Sequence, residues 1–213
     1  MNSCLILDGK KLAEKSNDDL LARVEILKQT GRSPKLVAIL VGDDPASATY
    51  VSMKEKACEK LGIKTEIKRL SAETTTDQLE NIIFELNADK EVDGILLQHP
   101  VPSRIDEQKC FNTIDISKDV DGVTTQGFGN MAMGLRAFGS CTPLGVMRLL
   151  KEYSVKIEGK NALVIGRSQI LGKPMAAMLL NANATVTIAH SRTKDLVNIC
   201  LLYTSDAADD TPC

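Results

Sequence analysis

Lys54 occupies a position at which an amphipathic helix ordinarily carries an apolar side chain. Along YVSMKEKACEKLGI, Tyr50 to Ile63, a helical period of about 100° per residue gathers Val51, Met53, Ala57, Cys58 and Leu61 beside Tyr50. Ser52, Glu55, Lys56 and Glu59 take the opposite side and Lys60 the boundary, so Lys54 alone sets a charge amid the apolar face. Two readings of it stay open. An apolar setting favours the neutral amine, the form able to accept a proton; alternatively the stem is buried and the amine reaches water. Tyr50 lies one turn earlier and points the same way. Open α/β sheets bind ligands at the carboxyl ends of their strands, and Gln98 is at such an end, closing VDGILLQ before the chain-reversing HPVP. Asp121 sits in an acidic loop, KDVDGV.

A second constellation lies in VIGRSQILGKP. It resembles a strand–turn–helix phosphate loop without matching the GxGxxG spacing. Gly166 can make the tight turn, Ser168 stands at the second glycine position, and Gly172 comes late. The alternative is an ordinary strand-to-helix turn with solvated arginines. An NAD-binding unit places an acid at the end of the next strand to accept from the ribose 2′-hydroxyl. Here His190, Ser191 and Arg192 follow that strand instead, and Arg167 can reach the same place. A phosphate dianion prefers arginine and hydroxyl donors to a carboxylate. If a dinucleotide binds, NADP is favoured over NAD.

Composition excludes several other chemistries. The six cysteines (Cys4, Cys58, Cys110, Cys141, Cys200 and Cys213) are far apart with no CxxC, and the only histidines are His99 and His190. No metal site is expected, and the thiols read as free, Cys58 as a small core residue. A net charge of −2 and the absence of a basic patch give no electrostatic case for nucleic acid or an anionic membrane. The start, MNSCLILDGKK, lacks the features of a signal peptide, which makes the cytoplasm the expected location.

The elements that must position these residues alternate. A polar helix over residues 10–30 precedes the buried strand KLVAILVG, and DDPASATY supplies turn and cap for the helix from Tyr50, which stops at Gly62. KTEIKRL reads as a strand, TTTDQLENIIFELNAD as a helix and VDGILLQHP as a second buried strand. After a long loop over residues 99–142, TPLGVMRLLKEY starts a helix behind Pro143. A second unit then reads KNALVIGRS (strand), QILGKPMAAMLLNAN (helix), ATVTIAHS (strand) and RTKDL (start of a helix). The expectation is two α/β domains with mostly parallel sheets, divided near residue 140.

In this order VGDDPASATYVSMKEKACEKLGI, DGILLQHPVP, KDVDGV, CTPLGVMRLL and VIGRSQILGKPMAAMLL resemble the bifunctional methylenetetrahydrofolate dehydrogenase/methenyltetrahydrofolate cyclohydrolase family. The likeness runs from Leu5 to about Leu196. It implies a folate-binding catalytic domain (residues 1–140), a partial Rossmann-like NADP-binding domain (141–199) and a homodimer. It implies oxidation of 5,10-methylenetetrahydrofolate and hydrolysis of the methenyl product to 10-formyltetrahydrofolate. Carried onto matching positions, it makes Lys54 the catalytic lysine, Tyr50 the residue stacked on the folate, Gln98 the partner of Lys54 and Asp121 the anchor of the pterin. Thr142, Gly166 and Ser168 fall on the cofactor side, and Arg167 and Ser191 at the positions that hold the 2′-phosphate. His99 departs from the apolar residue of many members.

After DLVNIC the family pattern stops, and CLLYTSDAADD resembles a translated sequencing adapter. Residues 200–213 are therefore expected to be a non-native tail on a truncated sequence, binding NADP poorly and catalysing little. The rival readings are an inactive fragment or pseudoenzyme that associates with intact subunits, and a shikimate-type dehydrogenase. The latter does not explain YVSMK, LLQHPVP and KDVDG together.

Overall fold

Asp8 starts the first helix of the computed structural model, which describes residues 5–203. Its carboxylate accepts the Lys11 N–H at 3.0 Å and caps α1 (Gly9–Gln29). β1 (Lys35–Val41), α2 (Pro45–Leu61), β2 (Lys64–Leu70), α3 (Thr76–Ala88) and β3 (Gly94–Leu97) follow. Local chemistry sets the helix ends. Asp44 accepts the Ser47 N–H at 2.7 Å with Pro45 in the first turn of α2, and Thr75 and Gln78 form a reciprocal capping box on α3. Gly62 ends α2 at φ 72°, a conformation that disfavours any side chain.

The three strands are parallel in the order β2–β1–β3. Side chains of the central β1 alternate between its two faces. Val37, Ile39 and Val41 join a cluster with Leu79, Ile83 and Leu86 of α3, while Ala38 and Leu40 pack with Val51 of α2 and Leu96 of β3. A strand covered on both sides has no polar face, which is why KLVAILV is apolar throughout.

Two expectations about this unit need correction. The segment 99–142 contains two short helices, α4 (Glu107–Thr113) and α5 (Thr125–Ala132). Asp106 caps α4 by accepting the Lys109 N–H at 3.0 Å, and Cys110 and Phe111 seal the core. Neither helix is long enough to reveal itself by periodicity. In addition, α2 begins at Pro45 rather than Tyr50, and its inward stripe keeps Val51, Lys54 and Cys58 of the expected face but not Tyr50, Met53 and Ala57. Ser47 and Val51 are buried and Lys54 and Cys58 half-buried, whereas Tyr50 is 59% and Met53 61% exposed. Small residues at Ser47 and Ala48 let the helix lie close on the sheet, which turns Met53 and Ala57 towards a groove beside α1.

Residues 8–127 form one compact unit; residues 128–203, with residues 5–7, form another. The latter contains α6 (Cys141–Glu152), β4 (Asn161–Ile165), α7 (Gly172–Asn181), β5 (Thr185–Ala189) and α8 (Leu196–Tyr203). β4 and β5 are parallel, and Val164, Ala176, Leu179 and Ala184 make its core. The helix expected from RTKDL begins at its last residue, Leu196; the residues before it form a turn in which Thr193 Oγ1 accepts the His190 N–H at 2.7 Å. Of the expected tail, residues 200–203 continue α8, while residues 204–213 lie outside the described residues, as do Cys4 and Cys213. Cys58 and Cys110 are free thiols.

Candidate active site

The Gln98 N–H donates to the Ile39 carbonyl at 2.9 Å, which holds Gln98 at the carboxyl end of β3. Helical side chains lean towards the helix N-terminus, and a crossover helix runs against its parallel strands. Lys54, well inside α2, is thereby aimed back at that same end of the sheet. Its Nζ donates to Gln98 Oε1 at 3.1 Å, joining residues 44 apart in the chain. The buried Gln98 spends its other amide atom, Nε2, on the His99 carbonyl at 2.7 Å. One end of the amide is anchored, so the other must present oxygen to the lysine. The ammonium is met by a neutral acceptor rather than a carboxylate, an arrangement that orients its proton without locking it in an ion pair.

Asp121 arrives by a different route. The segment after α4 runs parallel beside β3 with Ile95 opposite Asp119. The chain turns there, the Gly122 N–H donating to the Asp119 carbonyl at 3.1 Å, and Asp121 stands in that turn. Asp119, which sequence reading passed over, builds the loop. It is 1% exposed, and its two oxygens accept the Val123 and Thr124 N–H groups, each at 3.0 Å. Lys118 secures the other side by donating to the carbonyls of Leu86, Asn87 and Asp89 at the end of α3. KDVDGV thus contains one aspartate committed to the backbone and one, Asp121, half-buried with its carboxylate available. The only local sign of the difference is Gly122, at φ 66°, which lets the chain turn after Asp121. Tyr50 shares the helical stripe of Lys54 and is exposed, a flat ring at hand for a planar ligand.

In the second unit a turn of another kind follows β4. Gly166 adopts φ 134°, accessible to glycine, and its N–H donates to the Ala189 carbonyl at 2.7 Å. The helix then closes on the turn: a Cβ on Gly172 would stand 2.4 Å from the Gly166 carbonyl oxygen. Gly172 therefore does the work of the close-approach glycine despite its late position. Ser168 Oγ accepts the N–H groups of Leu171 at 3.2 Å and Gly172 at 3.3 Å, so it caps the entry to α7. Thr142, Gly166, Arg167 and Ser168 line a cavity of about 380 Å³ with Pro143, Val146 and Leu171. Ile165 pairs with Ala189 at the ends of the two strands, and Arg167 and Ser191 each stand two residues beyond the end of their own strand. Both are exposed. A glycine turn and a cavity at the carboxyl end of a parallel strand, with Arg167 on its rim, fit a dinucleotide.

Among the described residues no cluster of His, Cys, Asp and Glu could hold a metal ion, and no helix is long and apolar enough to cross a membrane.

Comparison with known proteins adds an independent line. Residues 7–121 match the model of the tetrahydrofolate dehydrogenase/cyclohydrolase catalytic domain, and residues 140–204 that of its NAD(P)-binding domain. The bifunctional protein FolD of Teredinibacter turnerae is 63% identical over 195 residues, covering 91% of this chain and 70% of that protein. The crystal structure of the bifunctional FolD dehydrogenase/cyclohydrolase from Campylobacter jejuni superposes with a TM-score of 0.90 at 47% identity, over 93% of this chain and 70% of that one. The dehydrogenase-cyclohydrolase of Trypanosoma brucei, solved with NADP and an inhibitor, gives 0.87 at 33% identity, over 93% and 68%.

Proposed function

This chain belongs to the tetrahydrofolate dehydrogenase/cyclohydrolase family, and from that premise we propose how its residues divide the two reactions. The enzyme oxidises 5,10-methylenetetrahydrofolate to the 5,10-methenyl cation with NADP and hydrolyses that cation to 10-formyltetrahydrofolate. The observation that carries the assignment of roles is the 3.1 Å contact between Lys54 and Gln98 at the carboxyl end of a parallel sheet.

Tyr50 stacks on the folate ring system, and the Asp121 carboxylate accepts from the pterin N–H donors. When bound, NADP supplies an oxidised nicotinamide that takes the hydride from the one-carbon bridge. Arg167 and Ser191 hold the 2′-phosphate, and Thr142, Gly166 and Ser168 line the rest of the cofactor site. In the hydrolysis, Lys54 as the neutral amine takes a proton from the water that attacks the methenyl carbon. As the carbon–N5 bond breaks, Lys54 returns that proton to N5, and the second proton of the water passes to solvent as the formyl group forms. Gln98 keeps the amine pointed at the reacting atoms throughout. The pseudoenzyme alternative draws no support here, since Lys54 and Gln98 meet. The family resemblance also supports a cytoplasmic homodimer, which light scattering at two protein concentrations tests.

General acid–base catalysis contributes about 10²- to 10⁴-fold. Lys54→Met is expected to lower the hydrolysis of methenyltetrahydrofolate by that range while leaving binding of NADP unchanged. Hydrolysis by the variant at the parental rate would overturn the assignment.

A further inference from the structure

We propose that Glu107 is a positioning residue for the Lys54–Gln98 pair, acting through the turn His99–Val101; the proposal rests on the functional reading above. The first residue of α4, Glu107 uses a single carboxylate oxygen twice. Its Oε1 accepts from His99 Nδ1 at 2.8 Å and from the Val101 N–H at 3.2 Å, which grips the turn on both sides of Pro100. Between those two points lies the His99 carbonyl, the acceptor for Gln98 Nε2 at 2.7 Å. Three links therefore run in series: Glu107 to the turn, the turn to the Gln98 amide, the amide oxygen to Lys54.

The last link depends on which way the amide faces. With its NH₂ group held by the His99 carbonyl, Gln98 can offer only oxygen to Lys54. Once the carbonyl moves, rotation of the amide sets NH₂ against the lysine, and donor faces donor. The anchor is well placed to prevent this. Glu107 is three-quarters buried, at 27% side-chain exposure, and α4 is held in the core by Cys110 and Phe111. His99 supplies one of the two grips, which gives this departure from an apolar residue a specific role. Both His99 and Glu107 act on Lys54 through Gln98 rather than directly.

A plain helix-stabilising role for Glu107 is the competitor, because an acid in the first turn of a helix is favourable wherever it points. Kinetics on the intact protein separate the two. Misplacing a reacting group by about an ångström can cost up to roughly 10²-fold, so Glu107→Ala is expected to lower cyclohydrolase kcat about tenfold, with KM for methenyltetrahydrofolate changed less than about twofold. Glu107→Gln keeps an acceptor oxygen and should recover most of the rate. Asp106→Ala, which uncaps the same helix without touching the turn, should leave kcat near the parental value. Should Glu107→Ala fail to fold, Glu107→Asp, shorter by one methylene, must lose kcat in a folded protein. Parental kcat in the Ala or Asp variant, or an equal loss in Asp106→Ala, overturns the proposal. Gln98→Ala is measured beside them: if it too is silent, the functional reading itself falls; if it alone is impaired, only the role of Glu107 does.

Discussion

Adding one methyl group at Gly172 should separate the two activities. A Cβ there would lie 2.4 Å from the Gly166 carbonyl oxygen, 2.5 Å from its carbon and 2.6 Å from the Arg167 nitrogen. Relaxed contacts of carbon lie about 3.5 Å apart or more, so the turn or the helix must give by about 1 Å. All three obstructing atoms are backbone, and no rotamer change relieves them. Overpacking of this kind costs about 1–3 kcal/mol. Charged to the bound state of NADP, at about 1.4 kcal/mol per tenfold, that weakens the cofactor by roughly 5- to 150-fold. The dehydrogenase, followed by the appearance of reduced nicotinamide at varied NADP, should show KM for NADP raised within that range in Gly172→Ala. Cyclohydrolase activity, followed by loss of the methenyl chromophore without NADP, should stay within about twofold, because Lys54, Gln98 and Asp121 all belong to the unit of residues 8–127. An unchanged KM for NADP, or an equal loss of both activities in a protein that melts normally, would refute the reasoning.

Arg167→Ala removes a charge-assisted donor worth about 1.5–3 kcal/mol; KM for NADP is expected to rise about 10- to 100-fold while KM for NAD, which lacks the 2′-phosphate, stays within about twofold, as steady-state rates with each cofactor will show. Cys110 supplies a pH test of the first core: burial, with smaller contributions from Glu80 and Asp106, pushes its thiol from 9.0 up to about 11. The native state keeps this proton where the unfolded chain has lost it, so stability is complete below pH about 9 and falls as pH rises to about 11, by about 3 kcal/mol in all. Urea midpoints across that range should slope downward, and Cys110→Ala should flatten the slope.

Much of the fold was legible in local chemistry. Capping residues, the glycine after α2 and the unbroken apolar run of β1 each act within a few residues of where they are written. The same holds for the turn at Gly166 and for the lack of an acid after β5, which together pointed to NADP. The short helices α4 and α5 escaped because their length spans too little of a helical period to stand out. The rotation of the inward stripe of α2 from the expected one has another cause. Periodicity reports that a stripe exists, but Met53, Ala57 and Leu61 are as apolar as Val51 and Cys58, and only the fit of Ser47 and Ala48 against the sheet selects which stripe goes in.

The sequence by itself therefore determined the alternation of strands and helices, the ends of those helices, and the identity of Lys54, Gln98 and Arg167 as residues out of the ordinary. Tertiary structure alone decided that Lys54 meets Gln98 across 44 residues, that Asp119 rather than Asp121 ties the loop to the backbone, and that Gly172 can be nothing larger. The reason is one of range. Backbone preferences and caps are settled by neighbours in the chain, whereas the partner of a buried polar atom depends on which distant segment the packed core brings alongside it.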